Sequence, residues 1–382
     1  MSLELRLPGG PHRLRAPAAL DVPDGPIPSR IVYAAAHVVA DPLGENGPGA
    51  PAAVDWDSTL AFRRRLWSLG LGVADAMDTA QRGMGLDWTA TRELITRSGA
   101  EARAVGGRLA CGVGSDQLTS ADPPLHDIIG AYREQLAVVE DAGARPILMA
   151  SRALAAVAKG PEDYLQVYGE VIDAASQPVI LHWLGEMFDP ALAGYWGGAN
   201  LDAATDAVLD LIRENAPCVD GIKVSLLDAD REIALRRALP EGVRLYTGDD
   251  FNYPDLIRGD EAGHSDALLG IFDPIAAVAA AALRALDAGD TARYDALMEP
   301  TLPLARHLFA APTYHYKTGV VFLAWLAGHQ SHFTMVAGAQ SGRSVPHLTE
   351  LFRLADAAGV LPDPELAVHR MRQFLHIAGV DA

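Results

Sequence analysis

The sequence predicts an α/β fold, a (β/α)₈ TIM barrel with a C-terminal helical extension. Three observations carry this expectation. From about Arg30 onward, eight short β-rich runs alternate with amphipathic segments whose apolar residues recur every three or four positions, the pattern of repeated βα units around a parallel sheet. After the eighth run the strand signal stops and helical periodicity alone continues. No G-x-G-x-x-G follows the first run, which disfavours the structural alternative, an open doubly wound dinucleotide sheet.

Residues 1–29 read as an N-terminal arm: Leu3–Leu7, a Pro8-Gly9-Gly10-Pro11 turn and His12–Leu14 make a small hairpin, and a proline-rich linker follows to about Ser29. The barrel spans residues 30–290. Its strands are expected at Ile31–Val39, Gly72–Met77, Leu109–Val113, Pro146–Met149, Val179–Trp183, Gly221–Ser225, Val243–Thr247 and Leu268–Phe272. Helices are expected between them, at Thr59–Leu69, Thr89–Ala102, Asp127–Ala142, Glu162–Ala175, Ala203–Glu214 and Arg231–Leu239. Gly185–Asn200 reads as an enlarged loop after the fifth strand. Pro274–Ala288 follows the eighth, and the extension, residues 291–382, continues with helices at Ala292–Phe309, Tyr316–Gly328, Pro346–Ala358 and Pro364–Ala378.

Composition narrows the function classes. Hydrophobic residues make up 49% and charged residues 21% of the 382, a balance that supports a large packed core. The net charge of −18 repels phosphate backbones and anionic membranes, so no nucleic-acid or membrane partner is expected. Cys111 and Cys218 lie in apolar, strand-like contexts without zinc or disulfide spacing, which fits a reducing, cytoplasmic compartment. The N-terminus alternates apolar and charged residues instead of carrying a signal peptide's apolar core. No segment approaches the roughly 20 apolar residues of a membrane span. The alanine-rich, Tyr- and Trp-containing tail can pack on its own barrel or on a partner subunit, and a homo-oligomer is expected.

Active sites of βα barrels sit at the C-terminal ends of the strands. The polar residues that fall there are His37, Asp78, Thr79, Ser115, Asp116, His182, Lys223, Ser225, Asp249 and Asp250. Lys223 stands out, because it interrupts the apolar run Val219-Asp220-Gly221-Ile222-Lys223-Val224-Ser225, where an ammonium ion is costly to bury. A buried lysine has its pKa lowered, and the neutral amine attacks carbonyl carbons to form imines. The alternative is a lysine that snorkels to solvent or pairs with an aspartate.

Gly221-Ile222-Lys223, then Ser225-Leu226-Leu227-Asp228 and Thr247-Gly248-Asp249-Asp250, resemble the dihydrodipicolinate synthase/N-acetylneuraminate lyase family of class I aldolase barrels. Ala110-Cys111-Gly112-Val113-Gly114-Ser115-Asp116 is similar to that family's third strand and Pro178-Val179-Ile180-Leu181-His182 to its fifth, in the same order. Tyr316-Lys317 and Pro346-His347-Leu348 look like its helical tail. The resemblance implies that Lys223 forms a Schiff base, without cofactor or metal, on a small carbonyl substrate.

The departures are informative. His182 stands where the family has a proton-relaying tyrosine; it is either an acid/base group or a core histidine bonded to a strand-end carboxylate. Asp78-Thr79-Ala80-Gln81-Arg82-Gly83 replaces the loop that holds the substrate carboxylate: Thr79 keeps a hydroxyl, Asp78 would repel a carboxylate, and Arg82 is expected to face solvent. Ser151-Arg152-Ala153-Leu154 lacks the family's strand-four tyrosine, and Leu184-Gly185-Glu186-Met187 lacks the arginine of the synthases. The family's own pyruvate-plus-semialdehyde reaction is therefore not expected.

The expected function is a lyase, aldolase or dehydratase on a keto-acid or keto-sugar derivative, in a divergent branch. Lys223, His182 and Thr79 are its catalytic residues, with Asp78, Ser115, Asp116, Ser225, Asp249 and Asp250 binding substrate. Two alternatives stay open: metal-assisted chemistry, if His37, His182, Asp78 and Asp249 converge on one ion, and a non-catalytic binding barrel. His315, His329 and His332 are expected as caps, surface or interface residues.

Overall fold

A computed structural model describes residues 3–16, 20 and 25–380, so part of the expected proline-rich linker lies outside the described residues. Glu4–Leu7 (β1) and Gly10–Arg13 (β2) pair antiparallel across the Pro8-Gly9 turn, as the alternating pattern predicts. Eight parallel strands follow and close into a barrel: β3 (Val32–Ala35), β4 (Gly72–Asp75), β5 (Leu109–Val113), β6 (Arg145–Leu148), β7 (Val179–Leu184), β8 (Val219–Ser225), β9 (Arg244–Thr247) and β10 (Asp266–Leu269). Closure is made by β10 pairing with both β9 and β3. All eight expected strands form, within a few residues of the expected bounds.

Side chains alternate across each strand. Tyr33, Ala74, Ala110, Ile147, Ile180, Tyr246 and Leu268 point inward and fill the barrel's interior as one cluster. The opposite faces pack against the helices in the main core. Helices begin where a polar side chain can cap free backbone N–H groups: Asp55, Asp87, Asn200, Asp228, Ser344 and Asp363 each accept from the first turn that follows them.

The structure corrects the element reading in three places. The single helix expected over Ala292–Phe309 is two, Thr291–Met298 and Thr301–Leu308, because Pro300 lacks the N–H that would continue the first. Arg152–Val157 and Tyr253–Arg258 are short helices that are too brief to show a period. Cys218 is exposed in a turn before β8 and not in a strand, whereas Cys111 is buried in β5. The C-terminal helices pack on their own chain: Leu304, Phe309, Val320, Phe322, Leu351 and Met371 belong to the core shared with the barrel helices. No helix among the described residues is long and apolar enough to cross a membrane.

Behind β9, Glu232 on the helix Ala229–Ala238 accepts from Thr247 Oγ1 at 2.9 Å and Ser265 Oγ at 2.8 Å, and burial pushes its carboxyl up to about 8. An unfolded glutamate titrates near ~4.3, so between these values the folded chain binds a proton that the unfolded chain has released. Stability from this group is complete below the lower value and is lost as pH rises through the upper one. Glu232→Gln keeps both hydrogen bonds without the titration. Its melting temperature should exceed that of the wild-type chain by roughly 2–4 °C at pH 8, with the difference shrinking toward pH 5. Equal melting temperatures at both pH values would count against a buried, protonated Glu232.

Candidate active site

His182 on β7 and Lys223 on β8 are directly paired, and alternation from inward-facing Ile180 and Gly221 turns both into the barrel. Ser225 follows on the same face, with Oγ 3.4 Å from His182 Nε2. The next strand end explains the Thr247-Gly248-Asp249-Asp250 motif. A Cβ at Gly248 would lie 2.9 Å from Lys223 Cε and 2.7 Å from the Val224 carbonyl, so only glycine lets the lysine pass. Beyond it Asp249 points outward and Asp250 inward. Asp249 accepts from the N–H groups of Phe251 (2.8 Å) and Asn252 (3.0 Å) and from the Asn252 side chain, and so holds its own turn.

Lys223 is 7% exposed and forms no ion pair among the described residues. Burial pulls its pKa down, against the opposing pull of Asp78 and Asp250. Asp250, buried and accepting from Ile271 N–H at 2.9 Å, is pushed up to about 7 by that burial. The two groups are thus drawn toward each other in proton affinity. His182 is fully buried, its Nδ1 has no hydrogen-bond partner, and burial followed by the charge of Lys223 keeps its pKa well below that of a free imidazole. The site holds it neutral.

Sequence reasoning missed the partner of Thr79. The Tyr316 hydroxyl lies 2.8 Å from Thr79 Oγ1, and its ring stacks on Phe309 at 4.4 Å and meets Phe188 edge-on at 6.2 Å. Burial, reinforced by Asp78, raises the Tyr316 phenol well above 10, so it keeps its proton. A Cβ on Gly270, whose N–H also reaches Asp250, would touch both Tyr316 and Thr79, which ties this pair to the Asp250 side of the barrel. Tyr316-Lys317 stands out in sequence only as part of the family-like helical tail, and nothing there pairs Tyr316 with Thr79: it opens an apolar helix, Tyr316–Leu326, which looks like core.

Arg82 corrects a second expectation. It faces inward and is 6% exposed: Nη2 meets Asp116 Oδ1 at 2.6 Å, Nε meets Oδ2 at 3.2 Å, and Nη1 donates to the Gly112 carbonyl at 2.7 Å. A guanidinium with both a carboxylate and a strand-end carbonyl to bind gains more inside than in water. Burial pushes Asp116 up, but the charge and hydrogen bonds of Arg82 outweigh it and hold the carboxyl below its ordinary range. Ser115 and Ser151 share a hydrogen bond of 2.5 Å at the ends of β5 and β6.

The four residues considered for a metal do not converge. His37 Nδ1 is bound to Asp273 at 2.7 Å and Nε2 to Gln330 at 3.1 Å, Asp249 serves its turn, and no group of three or more metal-binding side chains forms among the described residues. His329 packs beside Phe62 at 5.7 Å and His332 caps Thr334 N–H at 3.1 Å, while the His315 ring lies tilted against Tyr314 at 4.4 Å.

An open cleft of about 730 Å³ lies over the ends of β4 to β7, bordered by Asp78, Trp88, Ser115, Ser151, Arg152 and Asp189. Lys223, His182 and Tyr316 do not line it. Asp78 links the two regions, since it borders the cleft and is felt by Lys223, Tyr316 and Lys317.

The barrel with its helical tail is similar in fold to solved dihydrodipicolinate synthases. The enzyme from Aquifex aeolicus superposes with a TM-score of 0.64 at 13% identity, over 87% of this chain and 99% of its own. The chloride-inhibited enzyme from Acinetobacter baumannii, complexed with pyruvate, gives 0.64 at 17% over 87% and 99%, and that from Bacteroides thetaiotaomicron 0.65 at 14% over 86% and 99%. Likeness at these identities establishes the fold. By sequence, the chain belongs to the family described as "Protein of unknown function (DUF993)", matched over residues 10–380. No curated protein sequence matches it.

Proposed function

We propose that this chain is a Schiff-base-forming lyase, aldolase or dehydratase for a keto-acid or keto-sugar derivative, with Lys223 as the imine lysine. The observation that carries the reading is a buried ammonium at the inner end of β8 that has no ion pair, with the raised carboxyl of Asp250 in electrostatic reach. Asp250 takes the ammonium proton. The freed amine adds to the substrate carbonyl carbon, and the resulting carbinolamine expels its hydroxyl as water with a proton supplied through the Thr79–Tyr316 pair, leaving the imine. His182, neutral and paired in register with Lys223, accepts a proton from the carbon beside the imine. Asp78, Ser115 and Ser225 bound the substrate space, while Asp116 acts through Arg82 and Asp249 through the turn that presents Asp250.

Pyruvate is bound by one synthase of this fold and is the first carbonyl compound to test. Incubation with pyruvate, 2-ketobutyrate and dihydroxyacetone, reduction with borohydride and peptide mapping should place a stable adduct on Lys223. An adduct on Lys159 or Lys317 instead would overturn the assignment. Absence of any adduct would favour the non-catalytic barrel.

A further inference from the structure

We propose that Lys317 is an anion anchor, a second ammonium that pairs with a carboxylate or phosphate group on the substrate whose carbonyl reaches Lys223. The identity of that carbonyl compound rests on the Schiff-base reading; the observations on Lys317 are separate from it.

Lys317 is 4% exposed, and its ammonium donates to the Tyr314 carbonyl at 3.2 Å and to Met84 Sδ at 3.3 Å, with the Tyr316 ring centre 4.7 Å away. All three neighbours are formally neutral. A buried ammonium with no carboxylate at ion-pair distance, Asp78 and Asp189 acting on it only from farther off, is destabilising unless something else compensates it. The helix does not: Lys317 sits in the first turn of Tyr316–Leu326, where the helix dipole already presents positive charge and a lysine is the wrong sign. Anions, by contrast, are favoured at that end.

The location fits a ligand. Met84, whose Sδ accepts from the Lys317 ammonium, directly follows Gly83 in the wall of the open cleft, so the ammonium stands just behind that wall. The other cations there are committed. Arg82 is bound to Asp116 at 2.6 Å and Arg152 to Asp189 at 2.5 Å. Lys317 alone among these forms no ion pair among the described residues. Burial lowers its pKa only to about 8, which leaves it mainly cationic at neutral pH. With Arg82 and Arg152 committed, Lys317 is the cation left to receive a substrate anion.

The test separates anion binding from imine formation by using Lys223→Met, which cannot form the imine. Thermal protection of Lys223→Met by pyruvate, by inorganic phosphate and by dihydroxyacetone is measured over a concentration series. Protection by one or both anions is expected, with none from the uncharged dihydroxyacetone. Adding Lys317→Met should raise the half-saturating anion concentration roughly 10–100-fold, and Lys317→Arg should restore most of it. Pyruvate alone protecting would assign a carboxylate, phosphate alone a phosphate ester. No protection by either anion, or protection that survives Lys317→Met, would overturn the proposal. If Lys317→Met fails to fold, Lys317→Gln replaces it. Anion protection in Lys223→Met with no trapped adduct in the wild-type chain would sink the Schiff-base reading and leave the anchor standing.

Discussion

Lys223→Met is expected to lose roughly 10⁴-fold or more in turnover, together with all borohydride-trapped adduct, and to melt at a higher temperature than the wild-type chain. The two effects have one cause. Removing the ammonium removes the nucleophile, for which no other group on β7, β8 or β9 can substitute. It also removes a charge that is 7% exposed, that has no ion pair, and whose burial the fold tolerates at a loss. Methionine is unbranched, like lysine, and its flexible side chain adapts to the space beside Gly248. Calorimetry and circular dichroism need no substrate, so the stability half can be measured first. A large drop in melting temperature would show that Lys223 is a structural residue, and normal adduct formation would place the imine elsewhere.

Tyr316→Phe should lose on the order of 10²–10⁴ in turnover while still giving a trapped adduct on Lys223. The ring stays clamped by Phe309 and Phe188, so only the hydroxyl at 2.8 Å from Thr79 is lost. Thr79→Val should fall by a similar factor, and the double variant by little more than either, because the two hydroxyls act as one path. The discriminating comparison is His182→Phe. If turnover survives in Tyr316→Phe but collapses in His182→Phe, proton transfer runs through the β7 histidine alone and the hydroxyl pair only shapes the pocket. Normal turnover in both would move the donor to Asp250 or to water.

Local pattern alone made the barrel legible. The alternation of short apolar runs with helical periodicity is dictated by each βα unit separately, and each unit must bury one face against the next, so eight in a row leave closure as the natural outcome. The same logic exposed Lys223, Ser225 and Gly248-Asp249-Asp250: each lies in or directly after a strand whose bounds the sequence marks, and a lysine within an apolar run is a visible anomaly. Even the direction of Lys223 and Asp250 follows from alternation.

What needed the tertiary structure was every relation between units distant along the chain. Thr79 and Tyr316 are 237 residues apart, and their hydrogen bond exists only because the C-terminal helices fold back on the barrel end. Lys317 reads in sequence as one charge on an apolar helix, and its lack of an ion pair among the described residues is a property of its surroundings. Arg82 turned inward because Asp116 and the Gly112 carbonyl come from another strand and its loop. A short-range pattern reports the preferences of a segment, whereas the net energy of burying a charge depends on what the rest of the chain places around it.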